Sequence, residues 1–243
     1  MEQVRARGTR GLDRLRLAVA GTAAWDTLVD QPSDIEETVA LIAPSAEWEA
    51  FPRSYRIAKR VLDIVVASLG LVLLAPLMLV IAAMIRLDSP GPAIFRQERV
   101  GQGGRRFQIL KFRTMVNGCD LLRDGPHKRP DDARVTRVGR LLRRTSLDEL
   151  PQLINVLRGE MSLVGPRPEL PEIVDAHYEP WQYRRFLVPQ GITGWWQVTG
   201  RGKKLMYEHT EDDLYYIENA SFRFDLLILA KTVVAVLRRE GAF

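Results

Sequence analysis

From Val61 to Leu87 the chain reads VLDIVVASLGLVLLAPLMLVIAAMIRL, and only Asp63 and Arg86 in that run are charged. As a straight α-helix the run is about 40 Å long, against a hydrocarbon core of about 30 Å, so a spanning helix is the default reading. Two features argue instead for a helix that enters a bilayer and returns to the same face. Both flanks are basic: Arg53, Arg56, Lys59 and Arg60 precede the run, and Arg86, Arg96, Arg99, Arg105 and Arg106 follow it. A spanning helix carries its excess of Lys and Arg on one side only. Pro76 also sits near the middle, where a missing N–H and a ring clash with the carbonyl four residues back predict a kink. The arms Val61–Ala75 and Leu77–Leu87 are then about 22 and 16 Å long, and neither crosses a bilayer alone. The expectation is a re-entrant helix broken at Ala75-Pro76, with Asp63 near its mouth pairing with Lys59 or Arg60.

The remainder of the 243 residues is ordinary in composition, with 46% hydrophobic and 27% charged residues. That is enough apolar surface for a real core and too much for wholesale disorder. One cysteine, Cys119, excludes an internal disulfide framework and a Cys-based zinc site. The net charge of +5 is uneven: residues 1–50 hold 5 basic and 9 acidic residues, so the excess of positive charge lies in the rest of the chain. A basic body points to an anionic partner: nucleic acid, lipid headgroups or a phosphorylated substrate. Nucleic acid leaves the apolar run without a purpose and ranks last. No export signal is expected, because no continuous apolar segment occurs before residue 50.

Residues 1–50 read as an N-terminal extension, with short helices over Gly11–Ala24 and Asp34–Ile42, the second capped by Ser33. Residues 51–88 form the membrane element, and 89–243 the body. Ala93–Gln97 and Arg106–Phe112 read as strands joined by a hairpin turn over Val100-Gly-Gln-Gly-Gly104. Helices are expected at 138–144, 147–158, 169–177 and 180–187. The tail Phe222–Arg239 is too short in its apolar stretch to span; it reads as a surface-lying amphipathic helix or a core helix.

Four stretches have residues suited to chemistry. Ser146-Leu-Asp-Glu149 has the spacing of a capping box. Its alternative is a phosphate site, in which one of the adjacent carboxylates Asp148 and Glu149 attacks while the other holds a divalent cation. Arg134, Arg137, Arg140, Arg143 and Arg144 lie just upstream. Ser162-Leu-Val-Gly-Pro-Arg-Pro168 stiffens a loop around Arg167, which either presents a guanidinium to a phosphate or is a rigid solvated turn. Gly191–Arg201, with Trp195 and Trp196, reads as a loop facing a ring or a lipid interface, or as a buried corner. Asp213-Leu-Tyr-Tyr216 places a carboxylate beside two aromatic rings. His127, His177 and His209 lack metal-ligand spacing, and Gly101-Gln-Gly-Gly104 lacks the Lys-Ser/Thr of a nucleotide-binding loop.

Taken together, Lys59-Arg-Val-Leu-Asp63, Phe95-Arg-Gln-Glu-Arg-Val-Gly101, Lys111-Phe-Arg-Thr-Met115, Ser146–Leu157, Gly159–Pro168, Gly191–Arg201 and Asp213–Tyr216 resemble the bacterial sugar transferases. These are the small monotopic phosphoglycosyl transferases, also called polyisoprenyl-phosphate hexose-1-phosphate transferases, and the likeness runs from about Ser54 to Arg239. The resemblance implies an α+β, mostly helical fold. It comprises a re-entrant membrane helix and a compact cytoplasmic catalytic domain with a small β-hairpin and surface-lying amphipathic helices. It implies transfer of a hexose-1-phosphate from a UDP-sugar to undecaprenyl phosphate with release of UMP, as the first membrane step of exopolysaccharide, capsule, O-antigen or glycoprotein glycan assembly. Asp148 falls on the family's nucleophile, Glu149 on its Mg²⁺-associated partner, and Asp213 on a further acidic residue of the active site. Arg143, Arg167, Lys111, Arg113 and Arg201 are the expected phosphate-binding residues. The implied setting is the cytoplasmic face of a bacterial inner membrane, with inner-membrane lipids as partners, no nucleic acid, and a homodimer left open. Two departures stand out: the family's Ser-Pro at the break is Ala75-Pro76 here, and its basic-Pro-Gly is replaced by Val188-Pro-Gln-Gly191. The competing reading is a non-catalytic basic monotopic protein that binds anionic lipid and has no use for Asp148.

Overall fold

The computed structural model describes residues 35–42, 46–119, 132–200 and 207–238. Its first helices are α1 (Ile35–Ile42), α2 (Ala46–Ala50) and the 36-residue α3 (Arg53–Asp88). Strands β1 (Ile94–Val100) and β2 (Arg106–Phe112) pair antiparallel, from Ile94 opposite Phe112 to Val100 opposite Arg106. After them come α4 (Arg137–Thr145), a 3₁₀ turn over Leu147–Glu149, α5 (Gln152–Arg158), β3 (Ser162–Val164) and α6 (Pro171–His177). A 3₁₀ segment over Pro180–Leu187 leads to β4 (Gly191–Thr193), which pairs parallel with β3, and to α7 (Trp195–Gly200), α8 (Glu211–Asn219) and α9 (Phe222–Arg238). The helix expected over Gly11–Ala24 and the cap at Ser33 lie outside the described residues. Residues 147–158, expected as one helix, are a 3₁₀ turn followed by a shorter α-helix.

Helix α3 is one uninterrupted helix with Pro76 inside it, where the sequence predicts a break at Ala75-Pro76. Proline removes one donor and crowds one carbonyl, and here the helical conformation carries on past it. Its buried residues lie toward the two ends. Tyr55, Lys59, Asp63 and Ala67 follow each other at i, i+4 in the first half, and Ile81 and Ile85 do so in the second. Between Ala67 and Ile81 no residue is buried, and Val72, Leu73 and Leu79 are each more than 70% exposed.

The first half of α3 is docked by polar groups. Asp63 accepts from Leu163 N (2.8 Å) and Ser162 Oγ (3.0 Å). Lys59 pairs with Asp225 of α9 (2.9 Å) and donates to Val164 O (2.8 Å), while Tyr55 and Tyr216 also donate to Asp225. Arg60 caps the carbonyls of Val156 and Leu157 at the end of α5. The expected Asp63 pairing with Lys59 or Arg60 is therefore replaced: each of the three finds its partner on the body. A buried charge left without such partners would cost several kcal/mol, so this network fixes where α3 leaves the body.

The end of α3 is held differently. Arg113 donates to the carbonyls of Ile85 (3.3 Å), Ser89 (2.7 Å) and Pro90 (2.8 Å), and so satisfies acceptors that a helix end leaves orphaned. Asp88 accepts from Val138 N (3.0 Å) and ties the same end to the start of α4.

The described part of the N-terminal extension packs on the body. Ile35 and Val39 of α1 are buried in a cluster with Val100, Val174, Tyr183, Phe186 and Leu187. Helix α9 buries Asp225 and Ile228, while Leu226, Leu227, Val233 and Val234 face outward.

Candidate active site

Helix α4 ends at Ser146, whose φ of 56° is the one positive value at a non-glycine residue among those described. A left-handed serine carries backbone strain of about 1 kcal/mol, and such residues recur where function fixes the chain. Ser146 closes α4 through its N–H to the carbonyl of Arg143 and opens the next turn by accepting from Glu149 N (3.3 Å). No side-chain cap forms in this turn, so the capping box suggested by Ser146 and Glu149 is absent. The carboxylates are left for other work.

Glu149 Oε1 accepts from Arg167 Nη2 (2.7 Å) and from Lys111 Nζ (3.3 Å), which joins the turn, β2 and the loop after β3. Arg143 of α4 donates through Nε to Thr114 Oγ1 (2.9 Å) and stays within electrostatic reach of Asp148. Asp148 itself makes no hydrogen bond or ion pair among the described residues. Burial, and then the charge of Glu149, push its carboxyl up to about 6 against the pull of Lys111, Arg167 and Arg143. Burial likewise lowers Lys111 to about 8, helped by neighbouring Arg167 and opposed by Glu149. Two carboxylates and three cations thus crowd one point, with one acid unbonded.

Arg167 is set from behind. Its carbonyl accepts from Arg185 Nη2 (2.6 Å), and Arg185, fully buried, pairs with Asp213 of α8 (2.7 Å) and donates to the Tyr178 hydroxyl. Burial, ahead of all other causes, raises Asp213 to about 6. Asp213 therefore reaches the site through Arg185 and the backbone of Arg167. Gln190, one of the departures, is buried and donates to the carbonyls of Arg185 and Val188 (both 2.9 Å), so its amide holds this turn.

Of the expected site residues, the structure brings together Asp148, Glu149, Lys111, Arg143 and Arg167. Arg113 is occupied at the end of α3, and Arg201 lies outside the described residues. The Gly191–Arg201 stretch is a buried corner as far as Gln197: Trp196 is buried, and Trp195 packs on Tyr215 and Phe224. Sequence reasoning missed Arg185, and gave no role to Arg99, which donates to Pro168 O (3.3 Å) and pairs with Glu169 (3.4 Å). The place of Arg99 in the Phe95–Gly101 motif was the available signal; for Arg185 there was none, because its partners are distant in sequence.

A cavity of about 150 Å³ opens from Glu149 and Arg167 and continues between Leu150, Leu153, Ile192, Gln197, Thr232 and Val236. The pattern described as bacterial sugar transferase matches residues 54–239, which takes in every one of these groups. The chain belongs to that family. It is 44% identical over 232 residues to a UDP-glucose:undecaprenyl-phosphate glucose-1-phosphate transferase of Caulobacter vibrioides, covering 90% of this chain and 85% of the relative. It is 43% identical over 201 residues to a UDP-N-acetylgalactosamine-undecaprenyl-phosphate N-acetylgalactosaminephosphotransferase of Aeromonas hydrophila, and 40% identical over 205 residues to an undecaprenyl-phosphate galactose phosphotransferase of Salmonella typhimurium. These matches cover 77% and 79% of this sugar transferase but only 45% and 43% of those two relatives.

Proposed function

We propose that the chain transfers a hexose-1-phosphate from a UDP-sugar to undecaprenyl phosphate through a covalent intermediate on Asp148, releasing UMP, as the first membrane step of assembling a surface glycan. The observation that carries this reading is the unbonded Asp148 carboxylate beside Lys111, Arg143 and Arg167. The names of the relatives supply the donor and acceptor classes.

An Asp148 oxygen attacks the sugar-bearing phosphorus, the bond to the bridging oxygen breaks, and UMP departs with the electron pair. An oxygen of the lipid phosphate then attacks the same phosphorus and releases the aspartate. Both partners of the first step are anions, so neutralisation matters more than a strong base, and Lys111, Arg143 and Arg167 provide it in place. Arg167 presents a planar fork suited to phosphate oxygens, with its backbone already fixed by Arg185.

The donor set suits Mg²⁺, which binds through one or two carboxylates completed by substrate phosphates and water. The Asp148-Glu149 pair is of that kind, and no cluster of three or more His, Cys, Asp or Glu that would suit a closed metal cage occurs among the described residues. Glu149 would hold the ion, which when bound supplies further charge neutralisation at the diphosphate.

The setting we infer is the cytoplasmic face of the inner membrane, with α3 re-entrant. Its basic flanks, its buried ends and its outward apolar middle support that placement, as does the outward apolar face of α9.

The test is UMP release from a panel of UDP-sugars with undecaprenyl phosphate and Mg²⁺, comparing the intact chain with Asp148→Asn. Turnover should fall roughly a thousandfold or more in the variant. The panel also names the sugar, on which the relatives differ. Equal turnover by both proteins would remove Asp148 from the chemistry. A folded, membrane-bound chain that turns over no nucleotide sugar would favour lipid binding alone.

A further inference from the structure

The cavity at Glu149 is chemically two-ended. At one end stand Glu149 and Arg167, with Lys111 behind them. The rest of its wall is mostly apolar: Leu150 and Leu153, Ile192 of β4 and Val236 of α9, with Ser146, Thr193, Gln197 and Thr232 among them. The two threonine hydroxyls in that wall are already used, since Thr193 and Thr232 bond each other (2.7 Å) and Thr232 also donates to Ile228 O (2.8 Å). Gln197 contributes one amide oxygen without a partner among the described residues. A hexose placed there would leave most of its hydroxyls unsatisfied, which is costly in a buried site.

We propose that this groove holds the first isoprene units of the polyprenyl phosphate acceptor, with the phosphate at the Arg167 end; the proposal rests on the transferase reading above. An anionic head with a hydrocarbon tail matches the two ends in charge and in polarity. The groove also continues into apolar surface that has no other cover. Leu153 lies against α3 at Gly70, beside the unburied middle of that helix, and Val236 sits on a helix whose Val233 and Val234 face outward. A lipid drawn from the bilayer can thus reach Asp148 without crossing a polar surface.

The two half-reactions separate the acceptor from the donor. Without acceptor, the enzyme should release one burst of UMP as Asp148 is loaded; with acceptor, turnover should saturate in undecaprenyl phosphate. Val236 is 36% exposed, so Val236→Trp fills the groove without disturbing the core. The expected result is a burst of unchanged size and rate, with KM for undecaprenyl phosphate raised about tenfold or more, the loss of a buried methylene or two. Val236→Ala should keep KM within about threefold. An independent readout is a prenyl phosphate bearing a diazirine on its first isoprene, which should label the Leu150–Leu153 or Thr232–Val236 segment. An unchanged KM in Val236→Trp, or labelling elsewhere, overturns the assignment. A slowed burst with an unchanged acceptor KM assigns the groove to the donor's sugar and overturns it equally. No burst and no turnover in the intact chain would instead bring down the transferase reading, and the groove assignment with it.

Discussion

Asp148 and Lys111 are both half-buried in the same cluster, and partial burial moves their proton affinities toward each other, to about 6 and about 8. On the proposed mechanism Asp148 attacks as the carboxylate, so activity should rise as pH climbs through about 6. The cation must be protonated to offset phosphate charge, so activity should fall as pH climbs through about 8. Donor kcat/KM should therefore be bell-shaped with its top near neutrality. Replacing Lys111 with Arg keeps a charge at that position throughout the alkaline range, and the alkaline limb should move up by at least one pH unit while the acid limb stays. An alkaline limb unmoved in Lys111→Arg would assign it to another group. At this scale the sequence was informative about the acidic and basic cluster: Asp148, Glu149, Lys111 and Arg167 lie in motifs, Arg143 lies just upstream of one, and all five converge in space. It was uninformative where an arginine serves the backbone. Arg113 and Arg185 bond to carbonyls of Ser89, Pro90 and Arg167, and nothing in a string of side chains marks which carbonyls will be left exposed.

Loops that looked separate in sequence become one element in the fold. The segment around Gly165 and the one beginning at Gly191 form the parallel pair β3–β4, with Ser162 opposite Gly191 and Val164 opposite Thr193. Their contact admits no side chain: a Cβ on Gly165 would lie 2.2 Å from Pro189 O, and one on Gly191 would lie 2.1 Å from Gly165 N. Since Gly165 leads directly into Arg167, the spacing of these backbones sets where the guanidinium meets Glu149. Gly191→Ala should separate them and either lower Tm by several degrees or, if the chain stays folded, lower donor kcat/KM by at least tenfold. Wild-type Tm and wild-type kinetics together would show that the close approach is not needed. Three-residue strands escape sequence reading because they carry too few positions to show alternation. The β1–β2 hairpin, with seven-residue strands, was legible for the opposite reason. The capping box failed because Ser146 adopts a left-handed conformation that the S-x-x-E spacing does not encode.

Across the whole molecule, the body's excess of positive charge lies with two helices that turn apolar residues outward. Helix α3 would be about 54 Å long if straight, enough to cross a bilayer. Its two ends nevertheless both attach to the same body: Lys59 to Asp225 and Val164 near one end, and the carbonyls of Ile85 and Ser89 to Arg113 at the other. A spanning helix would have to leave one of those attachments on the far side of the membrane, stripping a buried lysine or a buried arginine of its partners. That cost of several kcal/mol opposes spanning independently of the basic flanks. Single cysteines in a Cys119→Ser background provide the check, since Cys119 is the one native cysteine. Cysteines at Arg53 and at Leu87, both exposed, should react with a membrane-impermeant maleimide in inside-out vesicles and not in intact spheroplasts. A cysteine at Leu73, 74% exposed on the protein yet midway along the apolar run, should stay protected from both sides. Arg53 and Leu87 labelled from opposite sides would establish a spanning helix, and the attachments that hold both ends of α3 to one body would then have to separate in the membrane.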